Sequence, residues 1–228
     1  MAEYAALRGA LAAIGPFFTV ETHAPRQAAS PPWQPMTVLV DGSAVLQARV
    51  HAVREALARR DSRQPADVAA RVAASVTHLG LIARLLSPVI GAIALGRPPI
   101  SLALDELWWQ DRLGGPVPLS VTFGTPGPLL PGSAVEAITD VVAHRFSVSD
   151  RVLWGNVGSA ANSAARLIGV ARPELSDSAK ALADSVLADS RVDGGVLRAG
   201  PDFRRHSCCL IYRLDNNRKA VCGDCVLG

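Results

Sequence analysis

Cysteine is absent from the chain until residue 208, and lysine occurs only twice in 228 residues, as Lys180 and Lys219. The first absence rules out a disulfide framework upstream of the tail. The second bears on partners: the formal charge of +3 rests on arginines spread along the chain. That is not the clustered footprint of a nucleic-acid binder. No glycine loop of the Gly-x-Gly-x-x-Gly or Walker type appears, so the chain is not expected to bind its own nicotinamide or flavin. No nucleophile, base and orienter stand together at local spacing. His51 and His78 each lack a partner at metal-ligand spacing and are read as structural. No internal repeat is visible. The N-terminus shows no basic segment followed by an apolar run and a cleavage site, and no stretch reaches the ~18 uncharged apolar residues of a membrane span. The nearest, Leu79 to Leu95, contains Arg84 and Pro88. It is expected to be a buried helix broken at the proline, with an interfacial segment as the alternative. A cytoplasmic location follows as an expectation.

The remaining pattern predicts an α+β fold: a mainly helical body over residues 1–200 with a small central sheet or hairpin, and a cysteine-bearing C-terminal hairpin over 201–228. Ala6, Leu7, Ala10, Leu11 and Ile14 form a helical stripe that Gly15-Pro16 ends. Phe17 to Val20 is briefly strand-like, followed by an irregular proline-rich connection. Asp41 is placed as the N-cap of a helix through Leu46, Val50, Val53 and Leu57. Pro65 starts another, with Val68, Val72, Val76 and Leu79 inward. Seven prolines between Gly96 and Gly132 mark a change of texture, and Ile100–Leu104 and Val117–Phe123 read as paired strands. Trp108 and Trp109 fall in the connection between them. Because neighbours on a strand face opposite ways, at least one is expected at a surface or pocket. Ser133 caps a helix from Ala134, and Ser149-Asp150 opens a second to Ile168. That segment carries Gly155, Gly158, Ser159 and Ala160, a small face read as tight helix packing, with contact to the tail or a substrate as the alternative. Pro173 begins a last helix.

All four cysteines lie in the tail, as Cys208-Cys209, twelve intervening residues, then Cys222-Gly223-Asp224-Cys225. Disulfides, tetrahedral zinc and a 2Fe-2S cluster could each use such a set. Disulfides suit an oxidising compartment, and structural zinc usually takes two Cys-x-x-Cys knuckles, which adjacent cysteines fit poorly. Two irons with two thiolates each accommodate neighbouring sulfurs more readily. A thioredoxin-like role, in which Cys-x-x-Cys opens a helix, is not expected where Cys225 is followed by Val226, Leu227 and Gly228.

Arg204-Arg205-His206-Ser207-Cys208-Cys209-Leu210-Ile211-Tyr212-Arg213 and Cys222-Gly223-Asp224-Cys225 closely resemble the C-terminal signature of the FhuF-like ferric siderophore reductases. The segment around Trp154-Gly155-Asn156 is similar less specifically. The spacer is two residues longer than that family's, and Asp215 to Lys219 is read as a longer hairpin tip. The resemblance implies a 2Fe-2S cluster on Cys208, Cys209, Cys222 and Cys225. It further implies one-electron reduction of a ferric siderophore in the cytoplasm, with electrons from a ferredoxin-like or reductase partner and a peripheral position beside a membrane siderophore transporter. Trp108, Trp109, Trp154 and Asn156 are candidates to contact the siderophore. Arg205 and Arg213 are candidates to tune the cluster, provided an extended tail puts them on the face of Cys209. A zinc-stapled binding protein and a 2Fe-2S electron carrier without siderophore binding are the competing readings.

Overall fold

The computed structural model describes residues 2–124, 127–214 and 222–226; the proposed tip at 215–219 lies outside them. Helix α1 (Ala2–Ile14) buries Leu7, Leu11 and Ile14, as its stripe predicts. Helix α2 (Val45–Arg60) buries Leu46, Val50 and Val53. It does not begin at Asp41, whose Oδ1 accepts the Ser43 N–H at 2.8 Å in a local turn that postpones the helix to Val45.

Helix α3 (Ala70–Ala94) corrects the expectation of a break at Pro88, since it runs through that residue without interruption. The proline removes one backbone bond, but Leu85, Leu86, Val89 and Ile90 around it are all at most 1% exposed, so packing holds the turn. Counted from Ala70 the helix is long and apolar enough to cross a membrane, yet 72% of its apolar window is buried within the protein, as in a core helix. Its one charge near the middle has a structural use. Arg84, 1% exposed, donates Nε to Val117 O at 2.7 Å and its two terminal nitrogens to Phe17 O and Thr19 O. Three loop carbonyls are tied to the core helix this way, and burial lowers the Arg84 pKa to about 10.

The central sheet has the order β1-β4-β3-β2. Strand β1 (Glu21–Thr22) runs parallel to β4 (Leu119–Val121), β4 antiparallel to β3 (Trp108–Trp109), and β3 antiparallel to β2 (Gln34–Pro35). Ile100–Leu104, expected to pair with β4, contributes only the bridge Ile100–Phe123. The tryptophans thus form the strand rather than its connection. Alternation still sends them to opposite faces, but both faces are covered: Trp109 is 0% exposed in the core, and Trp108 is 6% exposed with its ring stacked 3.7 Å from that of His23. Neither is offered to a ligand, which removes Trp108 and Trp109 from the siderophore-contacting set.

Helix α4 (Ala134–Phe146) is capped by Ser133, whose Oγ accepts the Val135 N–H at 3.1 Å. Helices α5 (Asp150–Ala171) and α6 (Ser176–Leu187) follow. Helix α5 packs between α3, α4 and α6. On its small face Gly158 admits Leu187 of α6 and Val192; a Cβ there would stand 2.9 Å from Val192 Cγ1. That part of the face serves helix packing, while Gly155 serves the tail. The architecture is α+β, a helical body with a small mixed sheet.

Candidate metal centre

From Phe203 to Cys209 burial alternates along the chain: Phe203, Arg205, Ser207 and Cys209 are at most 5% exposed, whereas Arg204 and His206 are exposed. This period of two is that of an extended segment with one covered face. The face lies against the N-terminal half of α5, and Gly155 is what lets it come so close. A Cβ at Gly155 would stand 2.1 Å from Ser207 Oγ and 2.6 Å from Arg205 Nη2. Beyond Cys209 the extended course ends. Leu210 takes a left-handed φ of 69°, which is uncommon for a bulky residue, and Ile211–Leu214 forms a 3-10 turn. Leu214 then packs with Ala58, Val68 and Val72, and its carbonyl accepts from Arg63 Nη1 at 2.9 Å. The tail is therefore anchored at two places, on α5 and at the α2–α3 junction. Its final limb returns beside the first through the bond Arg205 N–H to Asp224 O at 3.2 Å.

Arg205 organises the buried side. It is 1% exposed and donates Nη1 to Asn156 Oδ1 at 2.7 Å and Nη2 to Val152 O at 2.9 Å and Ser207 Oγ at 3.1 Å. Asn156 in turn donates Nδ2 to Ser75 O at 3.1 Å, to Ser75 Oγ at 3.2 Å and to His78 Nδ1 at 3.4 Å. Ser75 Oγ passes the connection on to the Cys209 carbonyl at 2.9 Å. The Thr139 hydroxyl donates to Val135 O at 2.6 Å, so it accepts from His78 Nε2 at 3.0 Å, which places the histidine proton on Nε2 and leaves Nδ1 free to accept. Burial, helped by the charge of Arg205, lowers the His78 pKa to about 3 and keeps the ring neutral. Groups from α3, α4 and α5 thus converge on one backbone carbonyl and one guanidinium of the tail.

The sulfurs lie just outside this network. Cys209 Sγ touches Cys222 Sγ at 3.4 Å, and Cys208 Sγ accepts the Leu210 N–H at 3.4 Å. Cys209 and Cys225 are buried, Cys208 and Cys222 half-buried, and none of the four is in a disulfide. The contact with Cys222, the Ile211 N–H and the charge of Arg205 together favour a thiolate at Cys209, lowering its pKa to about 7 against the effect of burial. Cys222, as the partner in that contact, is pushed up. The two titrate as a pair.

Residues 205–227 match the family model of the FhuF 2Fe-2S C-terminal domain. The tail carries a FhuF-type 2Fe-2S domain. No curated protein and no solved structure matches it. The cofactor is a 2Fe-2S cluster, and the donor set fits it. Two thiolates on one tetrahedral metal with bonds of ~2.3 Å lie about 3.7 Å apart, close to the 3.4 Å between Cys209 and Cys222. Among the described residues no three of Cys, His, Asp and Glu converge on a point for a single ion. Cys208, Cys209, Cys222 and Cys225 are the residues that would hold the cluster.

The other predicted residues sort differently in this FhuF-like setting. Arg205 shares the covered face with Cys209, as alternation requires. No carboxylate among the described residues lies within ion-pair distance of it. A buried cation needs a counter-charge, and thiolates with their cluster supply one. Arg213 is a correction: the 3-10 turn takes it off that face, and its guanidinium lies 5.6 Å over the Tyr212 ring at the surface. Asn156 is also a correction, being 0% exposed and holding Arg205 rather than a ligand. Trp154 alone of the four ligand candidates borders a cleft beside the tail, under the Arg191 guanidinium at 4.0 Å. Sequence reasoning missed Ser75 and Thr139, which carry no motif, and read His78 only as an isolated histidine.

Proposed function

We propose that the protein is a ferric siderophore reductase. The observation that carries the reading is the FhuF-type four-cysteine tail, seated on the body by a buried guanidinium that has no carboxylate partner among the described residues. When bound, the 2Fe-2S cluster supplies one electron at a time to ferric iron held in a chelate. Ferric iron is a hard ion matched to hydroxamate or catecholate oxygens, and the ferrous product is held more weakly. The protein's own residues position that centre: Ser75 and Asn156 fix the backbone at Cys209 and the plane of Arg205, and the Leu210 N–H points at the Cys208 sulfur. The fixed charge of Arg205 favours the more negative, reduced state. With no loop for a nicotinamide or flavin, the electron comes from a ferredoxin-like or reductase partner. The setting is the cytoplasm, at or near the membrane transporter that delivers the chelate.

The test is a single turnover under anaerobic conditions. Prereduced protein is mixed with a ferric trihydroxamate in the presence of a ferrous-specific chromogenic chelator. One ferrous ion captured per reduced cluster is the expected result, and Cys209→Ser protein should capture none. If the cluster stays reduced beside the chelate but discharges to a protein acceptor, the chain is an electron carrier and not a reductase.

A further inference from the structure

Among the described residues six buried side-chain atoms lack a hydrogen-bond partner, and one of them belongs to the cysteine-bearing tail: Nε of Arg205. A buried donor left unpaired calls for an explanation, such as a trapped water, an ion or a bound group. Arg205 is 1% exposed, so bulk solvent does not supply the acceptor. Its other nitrogens are committed to the body and the strand. Nη2 spends both hydrogens, on Val152 O at 2.9 Å and Ser207 Oγ at 3.1 Å, and Nη1 donates to Asn156 Oδ1 at 2.7 Å. These three bonds fix the plane of the guanidinium and with it the direction of the single N–H of Nε.

Three features bring this side chain to the sulfurs. Its bond to Ser207, two residues further along the covered face, folds the guanidinium along the strand in the direction of Cys209. Its backbone N–H donates to Asp224 O at 3.2 Å, which sets the residue against the returning limb between Cys222 and Cys225. Its charge acts on Cys209 and Cys222 alike, the pair whose sulfurs touch at 3.4 Å. Among the described residues no carboxylate within ion-pair distance competes for the guanidinium. Cluster sulfurs accept N–H bonds, and such bonds are among the factors that set a cluster's potential.

We propose that the Nε–H of Arg205 donates a hydrogen bond to a sulfur of the bound 2Fe-2S centre, which makes Arg205 a fifth residue holding the cluster. A fixed charge acts from any direction; a bond needs this nitrogen in this plane. Val152, Asn156 and Ser207 are then positioning groups, since they hold the plane. The orphaned donor gains its acceptor only in the loaded protein. Reduction makes the sulfurs more negative and strengthens a charge-assisted bond, so the bond favours the reduced form in the same sense as the charge. This role requires the cluster alone and holds whichever acceptor the cluster reduces.

The experiment reads the bond in the wild-type holoprotein, where folding is not in question. Protein is prepared with arginine carrying nitrogen-15 at Nε only, or at the two Nη only, and the paramagnetic one-electron-reduced cluster is studied by pulsed EPR. A resolved nitrogen-15 coupling from the Nε label, and none from the Nη label, is the expected result. Arg204 and Arg213 are exposed, so Arg204→Lys and Arg213→Lys should each keep the coupling, which separates Arg205 from its neighbours on the tail. Arg205→Lys retains the charge without the planar N–H and should lose the coupling; the wild-type spectra decide the matter even if that variant does not load. No coupling from the Nε label, coupling from the Nη label alone, or loss of the coupling in Arg204→Lys or Arg213→Lys overturns the proposal. So does a coupled proton that exchanges in deuterium oxide with no nitrogen-15 coupling beside it, which would put a buried water at this place.

Discussion

Placing one methyl group at Gly155 should release the metal-binding tail from the body. In a helix interior, alanine is favoured over glycine by about 1 kcal/mol, so on propensity alone Gly155→Ala would stabilise. The structure opposes this. The new Cβ would stand 2.1 Å from Ser207 Oγ, 2.6 Å from Arg205 Nη2 and 3.2 Å from Arg205 Cζ, where non-bonded heavy atoms prefer roughly 3.5 Å or more. The extended segment must retreat by roughly 1 Å or more, which breaks the bonds from Arg205 to Val152 O and Asn156. Overpacking costs about 1–3 kcal/mol, and a lost hydrogen bond to a charged group about 1.5–3 kcal/mol. Against a gain of ~1 kcal/mol, and counting only one of the two bonds, the net is roughly 1.5–5 kcal/mol against docking. Iron and sulfide per chain, with Tm, give the readout: cluster content should fall sharply while the helical circular dichroism persists. Ser207→Gly in the same chain removes the 2.1 Å contact but not the one to Arg205, so recovery should be partial. Gly80, exposed on α3 with nothing within 4 Å of its would-be Cβ, is the control; Gly80→Ala should stabilise by about 0.5–1 kcal/mol. A fully loaded Gly155→Ala protein with unchanged Tm would refute the reasoning.

Arg205→Gln should lower the cluster potential: a unit charge on the order of 8 Å away, at an effective dielectric of roughly 20–80, contributes about 0.5–2 kcal/mol, or roughly 20–90 mV. Arg213→Gln should leave it unchanged, and protein-film voltammetry showing equal shifts in both would contradict the placement of these side chains. Asn156→Ala leaves Arg205 Nη1 without its acceptor and Ser75 O and His78 Nδ1 without their donor, and at about 1–3 kcal/mol for each buried group left unpaired it should cost several-fold in cluster retention and lower the urea midpoint. His78 is held at a pKa of about 3, below the ordinary 6.5, so the unfolded chain binds the extra proton. Stability should therefore fall as pH drops below about 6.5, by up to roughly 1.4 kcal/mol per pH unit. His78→Gln should remove this contribution, and identical pH slopes in the two proteins would show the ring to be protonated in the fold.

The tail was the most legible part of the sequence because its chemistry is local: four thiols at a fixed spacing need no tertiary contact to be noticed. Gly155 stood out for the same kind of reason, as a residue costly in a helix interior, and the tail contact weighed there as an alternative proved to be its use. Arg205 followed from alternation, whereas Arg213 did not, because nothing in Leu210-Ile211-Tyr212 announces a left-handed turn and a 3-10 coil. The supporting network was hidden for a different reason. Ser75, His78, Thr139 and Asn156 come from three helices and meet only once α3, α4 and α5 are packed. The sheet was misread because its strands are two or three residues long, too short for a period of two to show, and because tertiary cover buries both tryptophans. Pro88 looked like a helix end but sits where core packing on α3 outweighs one lost hydrogen bond.

The central claim, that these four cysteines hold a 2Fe-2S centre, is tested most directly by anaerobic purification followed by metal and sulfide analysis with the visible absorption spectrum. The account predicts a coloured protein with two irons and two acid-labile sulfides per chain, both lost on changing any one of Cys208, Cys209, Cys222 and Cys225 to serine. A colourless protein carrying one zinc per chain, or a Cys208→Ser variant that keeps its full iron, sulfide and colour, would contradict it.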